Sequence, residues 1–211
     1  IQIPDSRTTQ LAIRAMDDIT KANGVFSICD IHGRVGTKCI DCMKSEEKGV
    51  IQQFDFNKLG KDWLIVMDSA TQLSYSSMSL ILKDESDIDA KVERDHYGRQ
   101  GIMLARIFVY MQQSRANWIV ISHDIDIDKR DKFTKLVPSA GTSNFSKNFA
   151  KYFDHVVYMN VQNGKFNKNS SVVGEANVLA GSRTGVNLGS DVSKGIIDLM
   201  RTVKNTKEEL A

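Results

Sequence analysis

All three cysteines of this chain fall within fourteen residues, CDIHGRVGTKCIDC, with His32 among them. The pattern is C-x2-H-x6-C-x2-C, built from Cys29, His32, Cys39 and Cys42. A two-residue spacing lets a tight turn aim two ligands at one ion, and Gly33 relieves the first of these turns. Three thiolates and one imidazole complete a tetrahedral Zn2+ shell with no open position, so the spacing predicts a structural zinc. The six-residue gap makes the unit a compact knuckle over residues 27–44. A disulfide would leave one thiol over and His32 without a role, and no secretory signal pattern opens the chain. Reduced, unligated cysteines in a loop are the other reading of the same residues.

Composition sets the frame around that knuckle. The 211 residues are 41% hydrophobic and 26% charged with 14 Gly and 2 Pro, which suits one globular domain over 1–211 and excludes collagen-like, low-complexity and wholly disordered chains. No stretch reaches the roughly 20 apolar residues of a membrane span, so no membrane role is expected. Twenty-eight basic against 26 acidic residues leave a net charge of +2, too balanced to announce a nucleic-acid partner by bulk charge. The first residue is Ile1 rather than Met, and a processed or partial sequence is the expectation.

Helical and strand patterns alternate. Leu11, Ala12, Ala15, Met16 and Ile19 recur at helical spacing within 7–22, with Asp5 or Ser6 as N-cap. VIQQFDF (50–56) reads as a strand, and the continuous apolar run DWLIVM (62–67), stopping at Asp68, reads as a buried parallel strand. Residues 74–96 turn acidic and read as a loop. Residues 97–113 form a helix with Met103, Leu104, Ile107, Phe108 and Met111 on one face. NWIVIS (117–122) is a second buried strand, and the polar stretch 123–147 leads into a short helix. HVVYMNV (155–161) is a strand ending at an Asn163-Gly164 hairpin turn. NVLAG (177–181) is a further strand and 190–210 a polar helix. This alternation predicts an α/β fold with a mainly parallel sheet.

In such sheets ligands bind beyond the carboxyl ends of the strands. Asp68, followed by Ser69, stands at one such end, where an aspartate holds Mg2+ through its water shell or else caps the next helix. Ser122-His123 ends the second strand, either touching a phosphate or simply exposed. Gly181-Ser182-Arg183-Thr184-Gly185 puts an arginine among small residues, where it reaches a phosphate or sits solvated in a turn.

DWLIVMDSATQL, HYGRQGIMLARIFVYMQQ, NWIVISHD, FAKYFDHVVYMN and VLAGSRTGV, in that order, resemble the nucleotide-binding proteins of bacteriophages. These are RecA-like P-loop ATPases, some acting with single-strand annealing proteins. The resemblance covers roughly residues 50–190. It implies ATP and Mg2+ as cofactors, with Asp68 as the Mg2+-side carboxylate and Ser69 beside it. It implies His123 as the γ-phosphate-sensing position and Arg183 as a finger acting across a subunit interface. It further implies self-association into a ring or filament, single-stranded DNA and an annealing or replication protein as partners, and the cytoplasm of an infected bacterial host. Residues 74–96 and 124–147 become equivalents of the two DNA-facing loops. The knuckle is an insertion before the Asp68 strand.

One departure stands out. The phosphate-cradling pattern G-x-x-x-x-G-K-[ST] is absent: the Gly-Lys pairs are Gly60-Lys61 and Gly164-Lys165, and neither precedes Ser or Thr. The expectation is that a segment carrying this loop precedes Ile1; ATP hydrolysis by that mechanism requires it. In 124–151, Lys129, Arg130, Lys132, Lys135, Lys147 and Lys151 with Phe133 and Phe145 suit backbone contacts and base stacking, diluted by Asp124, Asp126, Asp128 and Asp131. The expected function is thus ATP-dependent action on single-stranded DNA in recombination, repair or replication. The alternative is a non-catalytic, zinc-containing DNA- or protein-binding module on a RecA-like shell.

Overall fold

The computed structural model describes residues 10–21, 24–83, 91–126, 136–169, 180–183 and 201. The chain divides into two compact units, one of residues 1–123 and 139–146, the other of 124–138 and 147–211.

The first unit holds helix α1 (Leu11–Lys21), strand β1 (Val25–Cys29), the short helix α2 (Ile40–Lys44), strands β2 (Ile51–Asp55) and β3 (Leu64–Asp68), the long helices α3 (Ala70–Lys83) and α4 (Arg94–Gln113), and strand β4 (Asn117–Ile121). Helix α1 turns its apolar stripe, Ile13, Met16 and Ile19, onto α3 and α4. Asp17 on the same stripe is buried but paired with Arg106 of α4 and Lys21, which is how a carboxylate is tolerated there. Gly24 makes the exit from α1: its φ is +94°, and a Cβ would lie 2.6 Å from the Asn57 amide and 2.7 Å from the Tyr110 hydroxyl.

β1 and β2 form an antiparallel hairpin whose connection, residues 30–50, is the Cys/His knuckle. β3 and β4 pair in parallel, Leu64 opposite Asn117 through Asp68 opposite Ile121, with α3 and α4 as the crossover that parallel pairing requires. The apolar run in β3 is not the buried strand it reads as. Leu64 is 41% and Val66 56% exposed, because the face they share is left uncovered, and β4, also read as buried, has no buried residue. An apolar run records what a strand tolerates on both faces; coverage is decided by the rest of the fold.

Residues 74–83, expected in a loop, lie in α3, and α4 begins at Arg94. The serines that give this stretch a loop-like look are inside the fold. Ser77 Oγ donates to the Ser74 carbonyl (2.6 Å), and Gln100 Nε2 of α4 donates to the same carbonyl (2.8 Å). Their polar atoms are satisfied between the two helices, which lets small side chains pack there. Residues 84–90 lie outside the described residues.

The second unit holds the antiparallel pair β5 (Asp124–Asp126) and β6 (Leu136–Pro138), within the stretch read as simply polar. Helix α5 (Ser143–Asn148) begins in the first unit and ends in the second, followed by a 3-10 turn at Phe149–Tyr152. The expected strand 155–161 is split at Val157 into β7 (His155–Val156) and β8 (Tyr158–Gln162). β8 pairs with β9 (Lys165–Asn169) across Asn163-Gly164, whose φ values of 53° and 71° are the two left-handed residues of a tight hairpin turn. β7 pairs antiparallel with β10 (Gly181–Ser182). Residues 177–179 and, save helical Arg201, the expected helix 190–210 lie outside the described residues. Among the described residues, β3–β4 is the one parallel pair and the other four are antiparallel. No helix among them is long and apolar enough to cross a membrane.

Leu104, Ile107, Phe108 and Met111 of α4 are all buried. Replacing Phe108, 1% exposed, with Ala is expected to cost roughly 3–5 kcal/mol in urea unfolding. Val109→Ala, one residue along and 41% exposed, should stay within about 0.5 kcal/mol.

Candidate metal centre and strand-end site

Cys29 ends β1, and the chain folds back on itself at once. The Gly33 N–H donates to the Cys29 carbonyl (2.9 Å), the Cys29 N–H to Arg34 (2.9 Å), and Gly36 N–H to Ser27 (2.9 Å). The φ of Gly33 is +62°, a conformation glycine adopts without strain. This turn swings His32 back beside Cys29. Cys39 stands immediately before α2 and Cys42 lies on it, so the second pair is carried on one helical turn.

The four ligand atoms all lie within 4.8 Å of one another. Cys29 Sγ is 3.6 Å from Cys42 Sγ and 3.6 Å from His32 Nδ1, and Cys42 Sγ is 3.3 Å from the same nitrogen. Tetrahedral zinc with thiolate and imidazole bonds of ordinary length places sulfurs about 3.7 Å apart and sulfur about 3.5 Å from nitrogen. The cluster therefore fits a metal ion such as zinc, and Cys29 and Cys39 are buried as a structural site requires.

Surrounding groups hold the ligands in place. The Gly49 N–H donates to Cys42 Sγ (3.1 Å). A Cβ on Gly49 would sit 2.5 Å from Cys29 Sγ, so only glycine lets this backbone approach both sulfurs. Lys48 Nζ donates to the Cys42 and Ser45 carbonyls, closing the C-terminal end of α2. Arg34 pairs with Asp41, joining the two halves of the knuckle. That hydrogen bond, reinforced by charge, holds the Asp41 carboxyl below its ordinary range and raises Arg34. Both side chains are part-exposed, so solvent screens the pair. The sequence reading found the four ligands but not Gly49, Arg34 or Asp41; a glycine before a strand carries no signal of the sulfurs it must clear.

The thiols do not ionise together. The His32 backbone N–H, helped by its ring and the Ile31 N–H, lowers Cys29 to about 6 against opposing burial. Cys42 is raised: the Gly49 N–H pulls it down, but burial and the sulfurs of Cys39 and Cys29 outweigh that. One anion in the cluster makes the next harder to form, and a divalent ion removes that repulsion.

The second site is at the carboxyl ends of β3 and β4. Asp68 is exposed, and its carboxylate has no hydrogen bond or ion pair among the described residues. The helix-cap role falls to Ser69, whose Oγ accepts from the Gln72 N–H (3.1 Å). The Asp68–Ser69 peptide is cis. Because Asp68 is in register with Ile121, Ser122 and His123 follow directly on the neighbouring strand. Thr71, which the sequence reading did not single out, ties these ends together. Its Oγ1 accepts from the His123 N–H (3.1 Å), donates to the Ser139 carbonyl (2.9 Å) and lies 3.3 Å from Ser122 Oγ. The His123 ring is exposed. Arg183 belongs to the second unit, where its N–H donates to the Asp154 carbonyl (2.7 Å) and Nη2 to that of Lys151.

Two measurements test the centre. Gly49→Ala is expected to weaken zinc binding roughly 10- to 100-fold in chelator competition. Gly60→Ala, whose Cβ would meet nothing within 4 Å, leaves it unchanged. Metal binding displaces thiol protons, so zinc affinity falls as pH falls. Its slope steepens as the pH drops through about 6, where Cys29 too becomes protonated in the free protein.

No protein-family model, curated protein sequence or solved structure matches this chain.

Proposed function

We propose that this chain is a RecA-like, phage-type nucleotide-binding protein stapled by a structural zinc, acting on single-stranded DNA with ATP and Mg2+. The arrangement that supports this reading is the parallel pair β3–β4, with a free carboxylate, Asp68, ending one strand and Ser122-His123 directly following the other. Neighbouring strand ends of this kind suit a phosphate and its metal. Asp68 holds Mg2+ through its water shell, freed for that task because Ser69 caps α3. On this reading His123 senses the terminal phosphate. Arg183 serves as the finger on a neighbouring subunit's nucleotide, exchanging its bond to Lys151 for the phosphate. Zn2+ on Cys29, His32, Cys39 and Cys42 supplies a rigid cross-link and no chemistry. The proposed setting is a ring or filament working beside an annealing or replication protein in the cytoplasm of an infected bacterium.

A second reading has its own observation. The sequence contains no G-x-x-x-x-G-K-[ST] loop, while the described residues include a four-ligand cluster that could hold a metal ion. On that reading the chain is a non-catalytic, zinc-containing DNA- or protein-binding module.

Full-length native protein, with any residues upstream of Ile1, separates the two. Equilibrium binding should show Mg2+-dependent ATP affinity that Asp68→Asn lowers at least about tenfold, the scale of a lost charge-assisted contact. Arg183→Ala should leave nucleotide binding intact and reduce DNA-stimulated turnover by roughly 10³-fold or more. Absence of Mg2+-dependent ATP binding sinks the first reading in favour of the second, and unchanged turnover in Arg183→Ala removes the finger.

A further inference from the structure

The knuckle is connected to β4 by a column of aromatic rings. Phe26, three residues before Cys29 on β1, pairs in register with Phe54 on β2, ring centroids 5.7 Å apart. Phe26 also meets Phe56 at 5.5 Å, and Phe56 stacks on Trp118 of β4 at 6.0 Å with the planes inclined by 19°. Trp118 lies four residues before Ser122. Its indole N–H is buried and has no hydrogen-bond partner among the described residues.

From this column we infer that metal loading of the knuckle is sensed at β4: the ion fixes the register of β1 against β2, and Phe56 carries that register to Trp118. The physical basis is the position of the knuckle. It is the whole connection between β1 and β2, and Cys29 is both a ligand and the last paired residue of β1, opposite Ile51. A two-stranded ribbon with a long connection is marginal by itself and prone to slip. A one-residue slip would turn Phe54 to the other face and carry Phe56 off Trp118. Bound metal closes the connection and removes the alternative registers. The consequence is a metal-dependent strand β4, with Ser122-His123 directly after it. The inference rests on metal occupancy of the four-ligand cluster and is independent of the nucleotide reading.

Trp118 provides its own probe once the exposed Trp63 is replaced by Phe. In the W63F protein, zinc is removed with a chelator and added back while zinc content and tryptophan emission are followed together. The expected result is dimmed, red-shifted Trp118 emission on zinc loss, restored on reloading. In W63F with Phe56→Leu, zinc stoichiometry should remain one per chain while the emission response is lost. Emission unchanged as zinc leaves W63F overturns the inference but keeps the metal site. An equal response in the Phe56→Leu protein, as general unfolding would give, also overturns it. A W63F protein that binds no zinc removes both the inference and the zinc reading.

Discussion

The contact on which the β1–β2 ribbon depends is the convergence of Cys29, His32, Cys39 and Cys42 on one point. Closing a flexible connection as long as residues 30–50 costs about 3 kcal/mol in chain entropy by the logarithmic loop rule. Within the knuckle, α2 is too short to be stable alone, and the Arg34–Asp41 pair is part-exposed. Against that, structural zinc in a small thiolate–imidazole site contributes roughly 10–16 kcal/mol at neutral pH. A metal ion of that affinity, held by these four groups, would outweigh the closure cost. With the connection closed, β1 and β2 hold one register and present Phe26, Phe54 and Phe56 to the rest of the unit.

How much of this was legible beforehand depends on whether the information was local. Ligand spacing is local, so all four metal residues could be read from the chain. So could the Asn163-Gly164 turn, where side-chain chemistry dictates left-handed backbone, and the buried face of α4, where Leu104, Ile107, Phe108 and Met111 recur at helical intervals. Failures came where meaning depended on partners far along the chain. Ser74 and Ser77 look like loop residues until Gln100 is placed opposite them. Leu64 and Val66 look buried until the face they share is found uncovered. Thr71 says nothing about its role without His123 and Ser139. The split at Val157 likewise follows from two separate partners, β10 and β9, which no window of the sequence contains.

The strand-end site has a different character from the metal centre. Its side chains are not pulled together by mutual attraction; they are delivered to adjacent positions by strand register, and Thr71 fixes the delivery with one hydroxyl. Asp68 stays uncommitted because the neighbouring Ser69 takes over capping. A carboxylate left without a structural task at the end of a parallel strand is available to a ligand, whereas one engaged with backbone amides is not. This division of labour between two consecutive residues is the clearest physical argument for a binding role at that edge.

The Ser139 N–H meets the His123 carbonyl at 2.7 Å, and that one bond makes the stretch between them an insertion in the architectural sense. The first unit runs to His123, is interrupted, and resumes at Ser139 with both cut ends already side by side and held to α3. Such a neck is where a chain can be rebuilt without disturbing what lies beneath. A short turn joining His123 to Ser139 would keep the first unit's connectivity, and a different sequence could be grafted in place of residues 124–138.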